Sequence, residues 1–263
     1  MANDHHLPIN PLVAKLRGDG PPAIGTFCSI PDTGSAEALG GTDLDFIFID
    51  VEHGLPTMDS LVSLLPAISR GGTPALVRLP WNDPAQVMRA LDLGAAGVII
   101  PMVSTGDEAA AAAAASRYPP EGIRSFGQAQ GTRYGDTDQT NRQVLCIVMI
   151  ETATGLENLD EIASTPGVDG IFIGPIDLML SMGRPIDFTL SDPEVVDALS
   201  AILDAGRRHD CPIGIPLFGI GMASAAVEAG YRFITTGSDA GYIRAGAAAD
   251  LAALHAITTG DIA

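Results

Sequence analysis

The feature that most constrains this chain is a series of short, apolar, β-branched segments that recur between longer helical stretches, without the polar alternation of a half-exposed sheet. Strands that are apolar on both sides must be covered on both faces, which is the condition of a parallel sheet with crossover helices. The segments are Ala23-Ile30, Asp45-Glu52, Ala75-Pro80, Gly97-Val103, Leu145-Thr152, Gly170-Gly174, Pro212-Pro216 and Phe233-Gly237, eight in all. Between them the pattern predicts helices at Met58-Arg70, Asp83-Leu93, Gly106-Arg117, Ala153-Thr165, Pro193-His209, Gly221-Ala229 and Gly241-Ile257, with a shorter one near Ser35-Gly40. Eight parallel strands joined by right-handed crossovers close on themselves at this length, so the expected fold class is α/β, a (β/α)8 TIM barrel.

No Pro/Ser-rich or charge-rich linker divides the 263 residues, so one barrel domain is expected over 1–263, with 1–22 as an N-terminal extension. A hydrophobic share of 46% against 17% charged residues suits a core-forming globular chain. The formal net charge of -18 repels phosphate backbones and anionic lipid heads, which argues against nucleic acid and membrane surfaces as partners. The apolar runs fall short of the ~20 residues that span a bilayer. The opening MANDHHLPINP lacks the basic-then-apolar layout of a secretory signal, so a cytoplasmic location is expected. Cys28, Cys146 and Cys211 are widely spaced and read as buried thiols rather than a disulfide framework or a zinc site. The stretch Tyr118-Arg142 breaks the βα rhythm with prolines, glycines and polar residues; such a loop is expected to be functional or mobile and can fold over the catalytic rim.

Chemistry in a barrel of this type sits at the carboxyl ends of the strands. There the sequence offers Asp50, Glu52 and His53 after the second strand, Arg78 after the third, Glu151 after the fifth and Asp177 after the sixth. Glu151 and Asp177 end adjacent strands, so their carboxylates should converge and repel unless a cation lies between them. Oxygen ligands with room left for water and substrate suit a divalent metal ion such as Mg2+, Mn2+ or Co2+. The plainer alternative makes both acids helix caps. Of the five histidines only His53 ends a barrel strand, and neighbouring Asp50 and Glu52 can orient its imidazole for proton transfer near neutrality. Arg78 follows the apolar Ala75-Leu76-Val77, where a guanidinium needs an anion; its partner is either a substrate oxyanion or a structural carboxylate, Glu52 or Glu151. Arg124 offers either a second anion contact or a loop anchor. The turn Thr236-Gly241 lacks the spacing of a phosphate loop and reads as an ordinary strand-to-helix connection.

Lys15, ahead of the first strand, is the only lysine. A Schiff-base or pyridoxal mechanism needs a lysine inside the site, so carbanion chemistry here would call for a metal rather than an imine.

Five ordered motifs resemble the HpcH/HpaI aldolases, a family of metal-dependent class II pyruvate aldolases. They are Asp50-x-Glu52-His53, Val77-Arg78 with Trp81-Asn-Asp-Pro84, Tyr118-Pro-Pro-x-Gly-Ile-Arg124, Ile150-Glu151-Thr152 and Gly170-Ile-Phe-Ile-Gly-Pro-Ile-Asp-Leu178. The resemblance implies that Glu151 and Asp177 are metal ligands, that Arg78 stabilises the enolate oxygen and that His53 transfers the proton. It further implies that Asp50 and Asp92 orient the histidine, and that the backbone amides around Gly174 and Ile176 hold the carboxylate of pyruvate. Met149 departs from the glutamine that many members carry two residues before the metal glutamate. The expected partners are pyruvate and an aldehyde, or the 4-hydroxy-2-oxoacid they form, together with other copies of the chain in a homo-oligomer. The resemblance implies a hexamer built from dimers that exchange the last helix.

Two carboxylates and a divalent cation sum to zero, Arg78 adds a positive charge and pyruvate a negative one, so the loaded site is expected to be neutral. Two readings of other classes remain open from the sequence: an acyl-CoA lyase on the same barrel, which should also show a nucleotide-binding surface, and a non-catalytic carboxylate-binding barrel. Decarboxylation of oxaloacetate through the same enolate needs no new residue.

Overall fold

The computed structural model of the protein describes residues 10–127 and 137–259. Its strands are β1 (Ala23–Cys28), β2 (Phe46–Asp50), β3 (Ala75–Arg78), β4 (Gly97–Ile100), β5 (Leu145–Ile150), β6 (Gly170–Ile173), β7 (Ile213–Leu217) and β8 (Phe233–Ser238). Each pairs in parallel with its sequence neighbours, and β8 returns to β1, so the sheet closes into the expected barrel. All eight lie within a few residues of their expected places, because an unbroken apolar run has one way to be buried on both sides.

The helices are α1 (Pro11–Arg17), α2 (Thr33–Gly40), α3 (Leu61–Ser69), α4 (Pro84–Asp92), α5 (Gly106–Ser116) and α6 (Thr137–Gln143). They continue with α7 (Ala153–Glu157), α8 (Leu159–Ala163), α9 (Pro175–Ser181), α10 (Pro193–His209), α11 (Ala223–Ala229) and α12 (Asp239–Thr259). Capping explains the clean starts. Asp83 and Asp192 accept amide hydrogen bonds at the N-termini of α4 and α10, each followed by proline in the first turn. The single helix expected over Ala153-Thr165 is broken at Asn158 into α7 and α8.

Alternate strand residues divide into two cores. Phe46, Phe48, Leu76, Ile99, Leu145, Ile147, Met149, Phe172 and Phe233 fill the barrel, whereas Ile47, Ile49, Val77, Val98, Cys146, Val148, Ile150, Ile171 and Ile173 pack outward beneath the helices. The inner rings touch in series: Phe27 on Phe48 at 4.5 Å, Phe48 on Phe172 at 5.3 Å and Phe172 on Phe233 at 5.6 Å between centroids. Glycine makes this filling fit, since a Cβ at Gly25 or Gly214 would overlap the rings of Phe46 or Phe233. The interior is therefore solid below the mouth.

Within the expected N-terminal extension, residues 10–17 pack against the barrel. Asn10 caps α1, and Leu12 and Leu16, a turn apart, join the inner core as a plug. Full burial of each is worth roughly 1.5–3 kcal/mol. The irregular Tyr118-Arg142 stretch divides into an anchored segment, residues outside the described range and α6. Arg124 is buried, pairs with Asp92 at 2.7 Å and lies over the Tyr118 ring at 4.5 Å, so it is a loop anchor. The possible rim-covering part, 128–136, lies outside the described residues. All three cysteines are free and buried, and burial pushes their thiols up to about 12. Among the described residues no helix is long and apolar enough to cross a membrane.

α12 behaves differently from the other helices. Asp239 is its one buried residue, accepting from Ser29 and Ile30 amides at 3.0 Å and from the Ser29 hydroxyl at 2.6 Å. Beyond that clamp Ile243, Leu251, Leu254 and Ile257 are exposed.

Candidate active site

Inward parity carries the sequence's charged residues into the mouth. Phe46 and Phe48 are followed by Asp50, Leu76 by Arg78, Leu145, Ile147 and Met149 by Glu151, and Phe172 by Gly174. Each sits at the carboxyl end of its strand, one step above the last apolar layer. Register then pairs them, since Asp50 lies opposite Arg78 in the β2–β3 ladder.

That pair forms a two-point ion pair in the mouth. Arg78 donates from Nε to Asp50 Oδ1 at 3.0 Å and from Nη2 to Asp50 Oδ2 at 2.8 Å, a fork matched to a carboxylate. Its Nη1 is 3.2 Å from Glu52 Oε2, an ion-pair distance without the alignment of a hydrogen bond. Its guanidinium also lies over the Phe48 ring at 5.6 Å. Burial alone would raise the Asp50 carboxyl, but the Arg78 hydrogen bonds hold it below the usual carboxylate range. Burial raises Glu52 despite the nearby guanidinium. The structural carboxylate expected to face Arg78 is thus Glu52, joined by Asp50.

Glu151 is 3% exposed. Its Oε1 accepts the Met102 amide hydrogen at 2.6 Å, and Met102 adopts a left-handed backbone with φ 57° to present it. Burial pushes the Glu151 carboxyl up to about 7, and the negative charges of Glu52 and Asp177 add to the rise. Neither acid is a cap: Thr152 accepts at the start of α7, and Gly174 stands at the start of α9, with Asp177 exposed in its first turn. The Gly174 amide donates to Ile150 carbonyl at 3.1 Å. Its contribution to the site is the missing side chain, since a Cβ there would overlap the Glu151 carboxylate.

The imidazole of His53 is 64% exposed, and its Nε2 is 3.7 Å from Glu52 Oε2. Asp50 meets the backbone amide of His53, at 3.1 Å. The acid facing the ring is therefore Glu52, and Asp50 is turned to Arg78, because the planar fork outcompetes an exposed ring for a buried carboxylate. Asp92 ends α4 and holds Arg124. The expected neutrality of the loaded site counted the guanidinium of Arg78 as a free positive charge, whereas two carboxylates, Asp50 and Glu52, stand beside it.

A cleft of about 330 Å³ opens here, lined by Arg78, Glu151, Gly174, Ile176 and Asp177 on one side. Met149 and Phe172 line it too, and Phe27, Pro216, Leu217 and Phe218 form the apolar remainder. Among the described residues no cluster of three or more His, Cys, Asp or Glu could hold a metal by itself. The donor set is the oxygen pair Glu151 and Asp177, with Glu151 pinned by one amide and raised first by burial and then by the negative charges of Glu52 and Asp177. Such a pair fits a hard divalent cation that keeps positions for water and substrate. Sequence reasoning missed Met102, for which no residue pattern signals a positive φ, and gave Glu52 less than its place. Glu52 could have been found, since His53 and Arg78 both needed an acid nearby.

A closed parallel barrel with acids and one guanidinium gathered at the carboxyl ends of its strands has the layout of a (β/α)8 enzyme. Residues 24–245 match the model of the HpcH/HpaI aldolase/citrate lyase family, and the chain belongs to it. It is 37% identical over 232 residues to a hydroxypyruvate/pyruvate aldolase of Rhizorhabdus wittichii, covering 87% of this chain and 92% of that protein. It is 35% identical over 226 residues to a 5-keto-4-deoxy-D-glucarate aldolase of Klebsiella pneumoniae, with 84% and 88% covered. A crystal structure of a family protein from Burkholderia cenocepacia matches with a TM-score of 0.86 at 34% identity, over 94% of this chain and 99% of the other.

Proposed function

We propose that the protein is a divalent-metal-dependent aldolase that makes or cleaves 4-hydroxy-2-oxoacids from pyruvate and an aldehyde. The observation that carries this reading is one cleft lined together by Arg78, Glu151, Gly174, Ile176 and Asp177. Glu151 and Asp177 would hold Mg2+, Mn2+ or Co2+, which when bound supplies Lewis-acid polarisation of the 2-oxo group. The carboxylate of pyruvate is held at the start of α9, where the Ile176 amide has no partner within the helix and Gly174 leaves space. Arg78, fixed by Asp50, points its charge at the oxygen on which negative charge develops as the methyl proton leaves. His53, with Glu52 at its ring, carries that proton away and returns it to the aldehyde oxygen. The new bond joins the pyruvate methyl carbon to the aldehyde carbon, and cleavage is the reverse. Asp92 acts at a remove, by anchoring Arg124 and the segment that follows α5.

We also propose a homo-oligomer. The exposed apolar residues of α12 have little cover from their own barrel, and an exchange of last helices in a hexamer built from dimers, as the resemblance implies, would give them one.

The test is proton NMR of pyruvate in D2O with metal-stripped protein and then with Mg2+, Mn2+ or Co2+ restored. The methyl signal should decay only with metal, and not in Glu151→Ala or Asp177→Ala. A signal that never decays would refute the enolate reading and favour an acyl-CoA lyase or a binding barrel.

A further inference from the structure

The cleft is chemically two-sided. Its charged groups, Arg78, Glu151 and Asp177, lie on the β3, β5 and β6 side, where pyruvate is placed above. The opposite wall comes from β1, β7 and β8 and presents Phe27, Pro216, Leu217 and Phe218, with Gly237 and Ser238 between them. Phe218 meets Phe188 edge-on at 5.1 Å, and the two rings, 39% and 59% exposed, form an aromatic ledge at the rim. Ile220, 79% exposed, extends it outward. Ser238 contributes the side-chain hydroxyl of that wall, and its oxygen already accepts from the Gly241 amide at 3.1 Å.

Charge on this side is as informative as shape. Among the described residues lining the cleft, Arg78 is the only Lys, Arg or His, and Asp50 and Glu52 already hold it. A carboxylate on the aldehyde would leave water for an apolar wall that, among the described residues, offers it no side-chain cation. A hydrocarbon substituent there covers Phe218, Leu217 and Phe27 instead, and releases water from them.

We infer that the aldehyde this chain accepts is uncharged and carries a hydrocarbon substituent, an inference that rests on the pyruvate reading above. Phe218 is the specificity-determining residue of the acceptor side, and the 4-hydroxy-2-oxoacids cleaved carry their one carboxylate at the pyruvate end.

The experiment compares butanal with succinic semialdehyde, which share a carbon chain and differ in a terminal methyl against a carboxylate. Product formed with pyruvate gives kcat/KM for each, and pyruvate methyl exchange in D2O without an aldehyde is recorded on the same protein. Butanal should be favoured by about tenfold or more, on the scale by which a pocket rejects a group it cannot pair. Phe218→Arg should move the ratio toward the acid by about tenfold or more, because it supplies the missing cation. Exchange with equal or better use of succinic semialdehyde overturns this inference and leaves the pyruvate reading intact. A ratio that Phe218→Arg does not move also overturns it. Absence of exchange overturns the pyruvate reading, and this inference with it.

Discussion

Gly174→Ala tests the site at its tightest point. The added methyl would lie 2.8 Å from the Glu151 Cβ and closer still to Oε2, where ordinary contacts begin near 3.4 Å. The carboxylate cannot simply turn aside, because its other oxygen is held by the Met102 amide at 2.6 Å and the residue is 3% exposed. It must therefore move by about 1 Å, a displacement that costs on the order of 100-fold where reacting groups are positioned. Disturbing the support of a metal ligand weakens binding by roughly 10–100-fold. Isothermal titration with Mn2+ should show a Kd raised within that range, with the pyruvate exchange rate falling alongside. Circular dichroism should show the barrel still folded, since the substitution touches the mouth and not the inner core. A Kd equal to that of the unsubstituted protein would refute the reasoning, because it would mean that Glu151 swings freely or that it does not bind the metal.

Arg78→Ala should lower turnover by ~100-fold or more, on the scale of a lost oxyanion donor. It should also lower stability by about 3–5 kcal/mol by leaving Asp50 buried and unpaired, read from urea melts; Arg78→Lys should fail to restore turnover, since an ammonium lacks the fork. In metal-stripped protein the Glu151 carboxyl, raised by burial from 4.5 to about 7, holds its proton while the unfolded chain loses it. Its stabilising effect is complete below pH 4.5 and is lost as pH rises through about 7, a fall of roughly 3 kcal/mol that Glu151→Gln should abolish in melts across that range. Leu254→Glu on the exposed face of α12 should reduce the mass seen by light scattering while leaving the barrel's circular dichroism intact; an unchanged mass would count against helix exchange.

The strands were legible because burial on both sides leaves an unambiguous pattern, and α10 was legible to the residue because Asp192 and Pro193 start it and the αL residue Asp210 ends it. The elements that escaped notice were short or polar. α9 begins at a Gly-Pro that reads as a turn, and α6 has the polar sequence of a loop. α1 did carry a signal, an asparagine cap before Pro11 with Leu12 and Leu16 a turn apart, but nothing in the sequence says that those leucines enter a barrel.

The sequence by itself determined the barrel, and with it the placing of Asp50, Glu52, His53, Arg78, Glu151, Gly174 and Asp177 at one end, because strand parity and chain direction are local properties. Which acid meets which base was decided only by tertiary structure. Arg78 could have faced Glu151, but register set it opposite Asp50. Asp92 was expected at the histidine, but it holds Arg124. Met102 took a left-handed backbone to reach Glu151, and Phe218 closed the apolar side of the cleft from a loop. Pairings of this kind depend on distances across strands, on competition for a few buried charges and on the space a glycine leaves, none of which the order of residues encodes locally.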